Sequence, residues 1–158
     1  MPVPGRKRVA VPPRTRYLES LGMTTFGADM DGATAGLGKR RWAIAEGYIP
    51  GGSVDPDDRT LASHEVACLL NLTSEEAEVT LTVFFEDRDP VGPYRIRLGA
   101  RRTLHLRFND LSDPEPIPRD TPYASIIESS VPIIVQHTRL DSRHANIALL
   151  STMAWALD

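Results

Sequence analysis

The stretch AEVTLTVFF, residues 77–85, indicates the fold class most directly. Within it Val79, Leu81 and Val83 alternate with Thr80 and Thr82. Successive side chains of a β-strand point to opposite faces, so a period of two predicts a strand with one buried face and one exposed face.

The same kind of pattern recurs on both sides of this stretch. Further strands are predicted at residues 42–49, 64–72, 94–98, 104–108, 124–129 and 131–138. The last two are expected to join over Ser129-Ser130, and Pro132 predicts an edge or a bend there. Residues 146–155 fit either a helix or a strand. Seven or eight short strands separated by Pro and Gly turns predict an all-β sandwich or barrel.

Composition narrows the class of protein. The chain has 158 residues, 41% of them hydrophobic, and a net charge of −3, which is typical of one soluble globular domain. The longest run without a charged residue or histidine, residues 145–157, is too short for a membrane span of about 20 residues. A single cysteine, Cys68, argues against a disulfide framework, and the proline-broken start is not typical of a signal peptide. A cytoplasmic location is therefore predicted.

Charge divides the chain into two predicted parts. Residues 1–41 hold eight basic and three acidic side chains, whereas residues 42–158 hold ten basic and eighteen acidic ones. We predict a basic, Pro/Gly-rich, disordered extension at residues 1–40 and a folded domain at residues 41–158. Two interpretations of the extension stay open. It is either a basic arm that contacts phosphate or an acidic partner, or an extension without a role. The second interpretation includes the case in which the true start is Met23 or Met30.

The usual signatures of catalysis and metal binding fail on inspection. In Ser63-His64-Glu65 the last two side chains should point to opposite faces of a strand. The spacing of the four histidines matches no zinc pattern, and Cys68 lies among apolar residues like a small core side chain. We therefore predict no catalytic residue, no metal site and no cofactor, and expect that the protein is not an enzyme.

Two polar stretches are candidates for binding. The segment QHTRLDSR, residues 136–143, follows an apolar strand, and the segment ARRTLHLRFND, residues 100–110, places polar side chains on one strand face. Such clusters suit a carboxylate, a sugar or another subunit, although a solvated face with weak surface ion pairs is the simpler alternative. The candidate binding residues are Arg107, Asn109, Gln136, His137, Arg139, Asp141 and Arg143.

Six longer blocks of the sequence carry a family resemblance. They are WAIAEGYIP, SHEVACLLN, DPVGPYRIRL, ARRTLHLRFNDL, DPEPIPRDTPYASII and VPIIVQHTRLDSRHANIALLST. In order along residues 41–156, they resemble the sensory rhodopsin transducer family. The resemblance implies a single jelly-roll-like antiparallel β-sandwich, a homotetramer and no enzymatic activity, and it favours a strand at residues 146–155. It does not extend to residues 1–40.

Three classes of function follow from these observations. The first, implied by the resemblance, is a soluble signalling protein that docks on the cytoplasmic side of a sensory rhodopsin. The second is a sandwich that binds a small molecule, a sugar or a carboxylate, through the polar cluster. The third is a DNA-binding regulator that uses the basic extension, which the net −8 of residues 42–158 disfavours for the sandwich itself.

Overall fold

The computed structural model of the protein describes residues 36–157. They form eight strands: β1 (Lys39–Gly47), β2 (His64–Asn71), β3 (Ala77–Phe84), β4 (Val91–Leu98), β5 (Arg102–Arg107), β6 (Tyr123–Asp141), β7 (Ala148–Met153) and β8 (Trp155–Ala156). Within these residues the only helical element is the 3-10 helix Phe108–Asp110. All strand pairs are antiparallel. The predicted all-β antiparallel fold is confirmed, while most of the predicted extension, residues 1–35, lies outside the described residues.

The long strand β6 organises the sheet. Its first part pairs with β1 and β3, and its second part pairs with β2 and β7. The prediction of two strands joined over Ser129-Ser130 was wrong, because the backbone stays extended through all 19 residues. Pro132 lies where β6 changes from one set of neighbouring strands to the other. Residues 130–132 have no paired residue on a neighbouring strand of the described sheet. Proline has no N–H to donate, so this position costs the ladder no hydrogen bond.

The sheet has two halves that share β6. One half has the strand order β4-β3-β6-β1-β8, and in the other β5, β2, β6 and β7 lie side by side. Leu81 of the first half and Leu69 of the second are fully buried in one cluster, so the halves face each other across a common core. The sandwich is therefore one continuous sheet rather than two separate ones.

The C-terminal segment is strand, as the resemblance favoured. β7 pairs with the second part of β6, whereas β8 pairs with β1 in the other half of the sheet. Ala154 lies between them, is buried, and its N–H donates to the carbonyl of Val135 at 3.1 Å. The chain thus crosses from one half to the other along the side of the sandwich.

The start of β1 is fixed against the middle of β6. Gly38 has a φ of +83°, and a Cβ there would lie 2.6 Å from the carbonyl oxygen of Ile133. The indole N–H of Trp42 donates to the same carbonyl at 3.2 Å. Only glycine combines this backbone conformation with so close an approach.

Most of the longer connections open at one end of the sandwich. β1 and β3 end beside the start of β6, and β2 starts beside the end of β6. These strand ends lie together because Tyr123, the first residue of β6, donates its hydroxyl hydrogen to Glu65 of β2. We call residues 48–63, 85–90, 108–122 and 142–147 the loop end. Their ten acidic and four basic side chains give it a net charge of −6.

Candidate functional site

The structure divides the predicted binding cluster between two faces of β6. His137 and Arg139 point inward, toward the core side, because they follow the same alternation as the buried Val135. Gln136 points outward, and its side-chain amide donates to the hydroxyl of Ser151 on β7 at 2.8 Å. The residues from 136 to 139 therefore do not act as one surface.

Glu65 is the centre of the inward group. Its fully buried carboxylate accepts a hydrogen bond from Nε of Arg139 at 2.7 Å and lies 3.1 Å from Nε2 of His137. The hydroxyl of Tyr123 donates to the other carboxylate oxygen. We call Glu65, Tyr123, His137 and Arg139 the Glu65 cluster. It ties β2 to both ends of β6.

Arg139 also links this buried cluster to the surface. Its Nη1 donates to the carboxylate of the exposed Glu46 at 2.9 Å. Its guanidinium carbon lies 6.0 Å from the ring centroid of Tyr48, within reach of a cation–π contact. One arginine therefore pairs with a buried and an exposed carboxylate at once.

The pKa values of the cluster follow from burial and hydrogen bonding. Burial raises the pKa of Glu65, but hydrogen bonds from His137, Tyr123, the backbone of Tyr48 and Arg139 outweigh it, so the pKa lies below its usual value. Burial and the neighbouring Glu65 carboxylate raise the pKa of Tyr123. Burial lowers the pKa of Arg139, yet its bonds to Glu46 and Glu65 raise it overall. Glu65 is thus a paired carboxylate at neutral pH.

The adjacent Ser63 and His64 do not join Glu65 in a catalytic arrangement. The hydroxyl of Ser63 donates to the carbonyl of Gly52 at 2.6 Å, and Nδ1 of His64 contacts the carbonyl of Ala62 at 2.6 Å. Burial holds the pKa of His64 below its ordinary value. The side chains of Ser63 and His64 both bond backbone carbonyls, and neither bonds the carboxylate of Glu65.

Arg107 and Asn109, the two outlying predicted residues, brace the start of β2. The guanidinium of Arg107 donates to the carbonyls of Arg59 at 2.6 Å and Ala62 at 3.2 Å. Asn109 donates to the carbonyl of Ser63 at 3.1 Å and accepts from the backbone N–H of Glu65 at 3.2 Å. Both side chains hold the loop before β2 and are not brought together with the residues of β6 in one binding surface.

Asp141 and Arg143 form a separate group where β6 meets the loop end. Nε and Nη2 of Arg143 lie 3.0 Å and 2.6 Å from the Asp141 carboxylate. The guanidinium also lies 5.7 Å from the ring centroid of Tyr48, whose hydroxyl donates to Asp120 at 2.9 Å. Tyr48 thus lies between the two arginines, Arg139 and Arg143, at the surface.

Sequence reasoning missed the residue that organises the site. Glu65 was considered only as part of a false catalytic motif, although a lone acidic residue in the apolar strand HEVACLLN needs a buried partner. Its alternation with the buried Ala67 and Leu69 was a readable signal that it points inward. Tyr48 and Glu46 carried no such signal, because they are ordinary surface residue types.

Clefts on the described surface differ in how they relate to these groups. One of about 200 Å³ lies between β1 and the C-terminal strands, and it is lined by residues 43–46, His137, Leu150 and residues 152–155. A larger open cleft of about 580 Å³ crosses β3, β4 and β6 and contains none of the predicted binding residues.

Among residues 36–157 no three His, Cys, Asp or Glu side chains are placed to hold a metal ion. No helix in the same range is long and apolar enough to cross a membrane.

Solved structures resemble the chain closely. The structure titled "Anabaena sensory rhodopsin transducer" is 54% identical to it, with a TM-score of 0.58, over 65% of this chain and 98% of that one. A structure titled "Crystal Structure of Thermotoga maritima 1070" is 34% identical, with a TM-score of 0.67, over 76% of this chain and 96% of that one.

A comparison at the level of families agrees with these structures. No curated protein matches the chain. The family model described as "Anabaena sensory rhodopsin transducer" matches residues 37–156, which include all eight strands. The resemblance inferred from the sequence blocks is confirmed, and the chain belongs to the Anabaena sensory rhodopsin transducer family.

Proposed function

We propose that the protein is a non-enzymatic, cytoplasmic signalling protein that docks on the cytoplasmic side of a sensory rhodopsin. The observation that carries this proposal is the 54% identity to the Anabaena sensory rhodopsin transducer over 98% of that chain. An identity this high over nearly the whole relative supports a related role for the two proteins.

The use of the polar residues supports a binding role without catalysis. The side chains of Tyr123, His137 and Arg139 all bond the carboxylate of Glu65. The hydroxyl of Ser63 bonds the backbone carbonyl of Gly52 and the hydroxyl of Ser142. A catalytic group needs a reactive atom within reach of a substrate and a base. The bonds of Ser63 and His64 to other groups of the fold support a role without catalysis.

The charge of the loop end supports its use as the receptor-facing surface. Cytoplasmic loops of membrane proteins are enriched in Lys and Arg. The loop end, with a net charge of −6, is the surface best matched to them. Asp55 and Asp57 lie exposed in its first connection, with the half-buried Asp58 beside them, and these carboxylates are suited to pair with such cations.

We also propose that the protein is a homotetramer. The outward face of β2 supports this, because Cys68 and Leu70 there are only half-buried in a single chain. In register with Cys68 lie His105 on β5 and Gln136 on β6, so this row across the sheet carries no acidic, lysine or arginine side chain. Interface centres are depleted of charged residues in the same way.

The two alternative functions have weaker support. A carboxylate site at the predicted cluster would need a free arginine, but Arg139 is paired with Glu65 and Glu46, and Arg143 with Asp141. A sugar site at the same cluster would have to compete with these ion pairs. DNA binding would have to use residues 1–35, which lie outside the described residues, because the folded part is acidic.

Co-sedimentation tests the docking proposal. The purified chain is mixed with lipid vesicles that contain a sensory rhodopsin, and with the same vesicles without it. We expect sedimentation with the receptor vesicles only, and weaker binding as salt is raised, because charge attraction is screened. Equal sedimentation with both vesicles, or with neither, contradicts the proposal.

A further inference from the structure

The smaller cleft opens on the side of the sandwich where its two halves separate. Its walls come from β1, β7, β8 and the residue between the last two. On β7 Thr152 lies opposite the inward-facing His137 of β6, so its side chain points to the same face. Leu150, two residues earlier, follows the same alternation. The cleft therefore leads from the surface toward the Glu65 cluster.

His137 offers this cleft a hydrogen-bonding atom that the fold does not use. The residue is 2% exposed and lines the cleft, and its Nε2 lies 3.1 Å from the carboxylate of Glu65. An ionised carboxylate only accepts, so Nε2 carries the proton, and Nδ1 of the neutral ring is an acceptor. No group among residues 36–157 bonds Nδ1. Polar atoms of side chains this buried seldom lack a partner, so a donor is expected to reach Nδ1 through the cleft.

The rest of the cleft suits a small aromatic ring. Met153, Ala154 and Trp155 line it, and Trp155 is 75% exposed. Thioether and indole groups both pack favourably against aromatic rings. An engineered cavity of about 150 Å³ in another protein holds benzene. The cleft, at about 200 Å³, therefore has room for a ring with a small substituent.

The charges beside the cleft disfavour an anionic ligand. Glu46 lines the cleft, and Arg139 pairs with both Glu46 and the buried Glu65. Two carboxylates against one guanidinium leave an excess of one negative charge at this place. A second anion would be repelled, whereas an uncharged molecule with an N–H or O–H group would not.

We infer that this cleft is a binding site for a small, uncharged aromatic molecule that carries one hydrogen-bond donor, as a phenol does. The ring packs on Met153 and Trp155, and its donor bonds Nδ1 of His137. A bound ring also covers Trp155, the most exposed large apolar side chain of the described residues. The site goes beyond the proposed docking, because it connects a ligand to the Glu65 cluster and not to the loop end.

Three related probes test this assignment on the wild-type protein. Phenol has the ring and the donor, anisole has the ring without the donor, and benzoate has an anionic group in its place. Each is titrated at pH 8, above the ordinary range of histidine ionisation, by calorimetry and by the nitrogen resonances of the histidine rings. We expect saturable binding of phenol, about tenfold weaker binding of anisole because one hydrogen bond is lost, and none of benzoate. The Nδ1 resonance of His137 should move with phenol only.

Two variants with the same substitution locate the site. Thr152→Phe places a ring inside the cleft, whereas Thr80→Phe makes the same change on β3, beside the larger cleft. We expect Thr152→Phe to keep the wild-type circular dichroism spectrum and to bind phenol at least about tenfold more weakly, with Thr80→Phe binding as the wild type does.

Several results would overturn the assignment. They are the absence of phenol binding by the wild type, binding of anisole or benzoate as tight as that of phenol, and unchanged phenol binding by folded Thr152→Phe. The comparison of probes on the wild type decides the matter even if a variant fails to fold. None of these measurements involves a receptor, so a failure here leaves the docking proposal standing.

Discussion

Arg139 and Glu65 are directly opposite each other on adjacent strands, and Nε of the arginine lies 2.7 Å from the buried carboxylate. The register of β2 against β6 therefore decides whether this charge is paired. A slip of one residue would turn Arg139 to the other face and leave Glu65 buried without its arginine. The pair thus couples the register of β2 and β6 to β1, where Arg139 also bonds Glu46.

Glu65→Ala should strongly destabilise the protein. It leaves the hydroxyl of Tyr123 and the guanidinium of Arg139 without their shared acceptor. Removing one partner of a buried pair costs about 3–5 kcal/mol. Urea unfolding measures the change, and Glu65→Gln, which keeps an acceptor oxygen, should lose less. A loss below about 1 kcal/mol for the alanine variant would contradict the assigned role.

Stability should fall in acid partly through Glu65. Its folded pKa lies below the ordinary value of 4.5, so its contribution is complete above that pH and is lost as the pH falls through the folded pKa. Asp58, Asp120 and Asp141 also have lowered pKa values and add to the wild-type acid sensitivity. The difference in unfolding free energy between wild type and Glu65→Gln isolates Glu65. It should shrink between pH 7 and pH 3, and an equal difference at both pH values would refute this.

Two arginines of the predicted cluster should behave differently. Arg139→Ala leaves the buried carboxylate of Glu65 without its arginine and should cost about 2 kcal/mol or more. Arg143→Ala removes a pair on the surface with Asp141 and should change stability by less than about 1 kcal/mol. Thermal unfolding of both variants checks this, and similar effects for the two would show that burial does not separate them.

Gly38→Ala should loosen the start of β1. The new Cβ would meet the carbonyl oxygen of Ile133 at 2.6 Å, in addition to the cost of a positive φ. Gly36→Ala is the matched control, because Gly36 also has a positive φ but a Cβ there meets nothing within 4 Å. We expect a loss of about 1–2 kcal/mol at most for the control and a larger loss for Gly38→Ala. Equal losses would mean that the close approach is not a constraint.

Local pattern was enough to predict the strands but not their pairing. The alternation in residues 77–85 predicted β3 to within one residue, because burial of one face leaves a direct trace in the sequence. The single strand β6 was missed, since Ser129, Ser130 and Pro132 are residues typical of a turn. Whether such a stretch turns or only changes partners depends on β1, β2 and β3, which are distant in sequence.

The sequence pointed to polar residues near the end of β6 but did not show how they are arranged around Glu65. His137 and Arg139 were among the predicted binding residues, but their partner Glu65 lies more than 70 residues away along the chain. Strand alternation could have separated inward His137 from outward Gln136. The contacts of Arg139 with Glu46 and Tyr48 depend on how the loop end closes, which local pattern does not encode.

The most direct test of the docking proposal is an affinity measured against salt and surface charge. The chain is titrated onto a sensory rhodopsin in lipid nanodiscs, beside a variant with Asp55, Asp57 and Asp58 changed to Asn and a control with Glu75 and Glu76 changed to Gln. Glu75 and Glu76 lie exposed in the connection between β2 and β3, outside the loop end. The account predicts saturable binding by wild type and control that weakens with salt, and a clear loss for the loop-end variant. No binding by the wild type would contradict docking, and an unchanged loop-end variant would contradict the assigned surface.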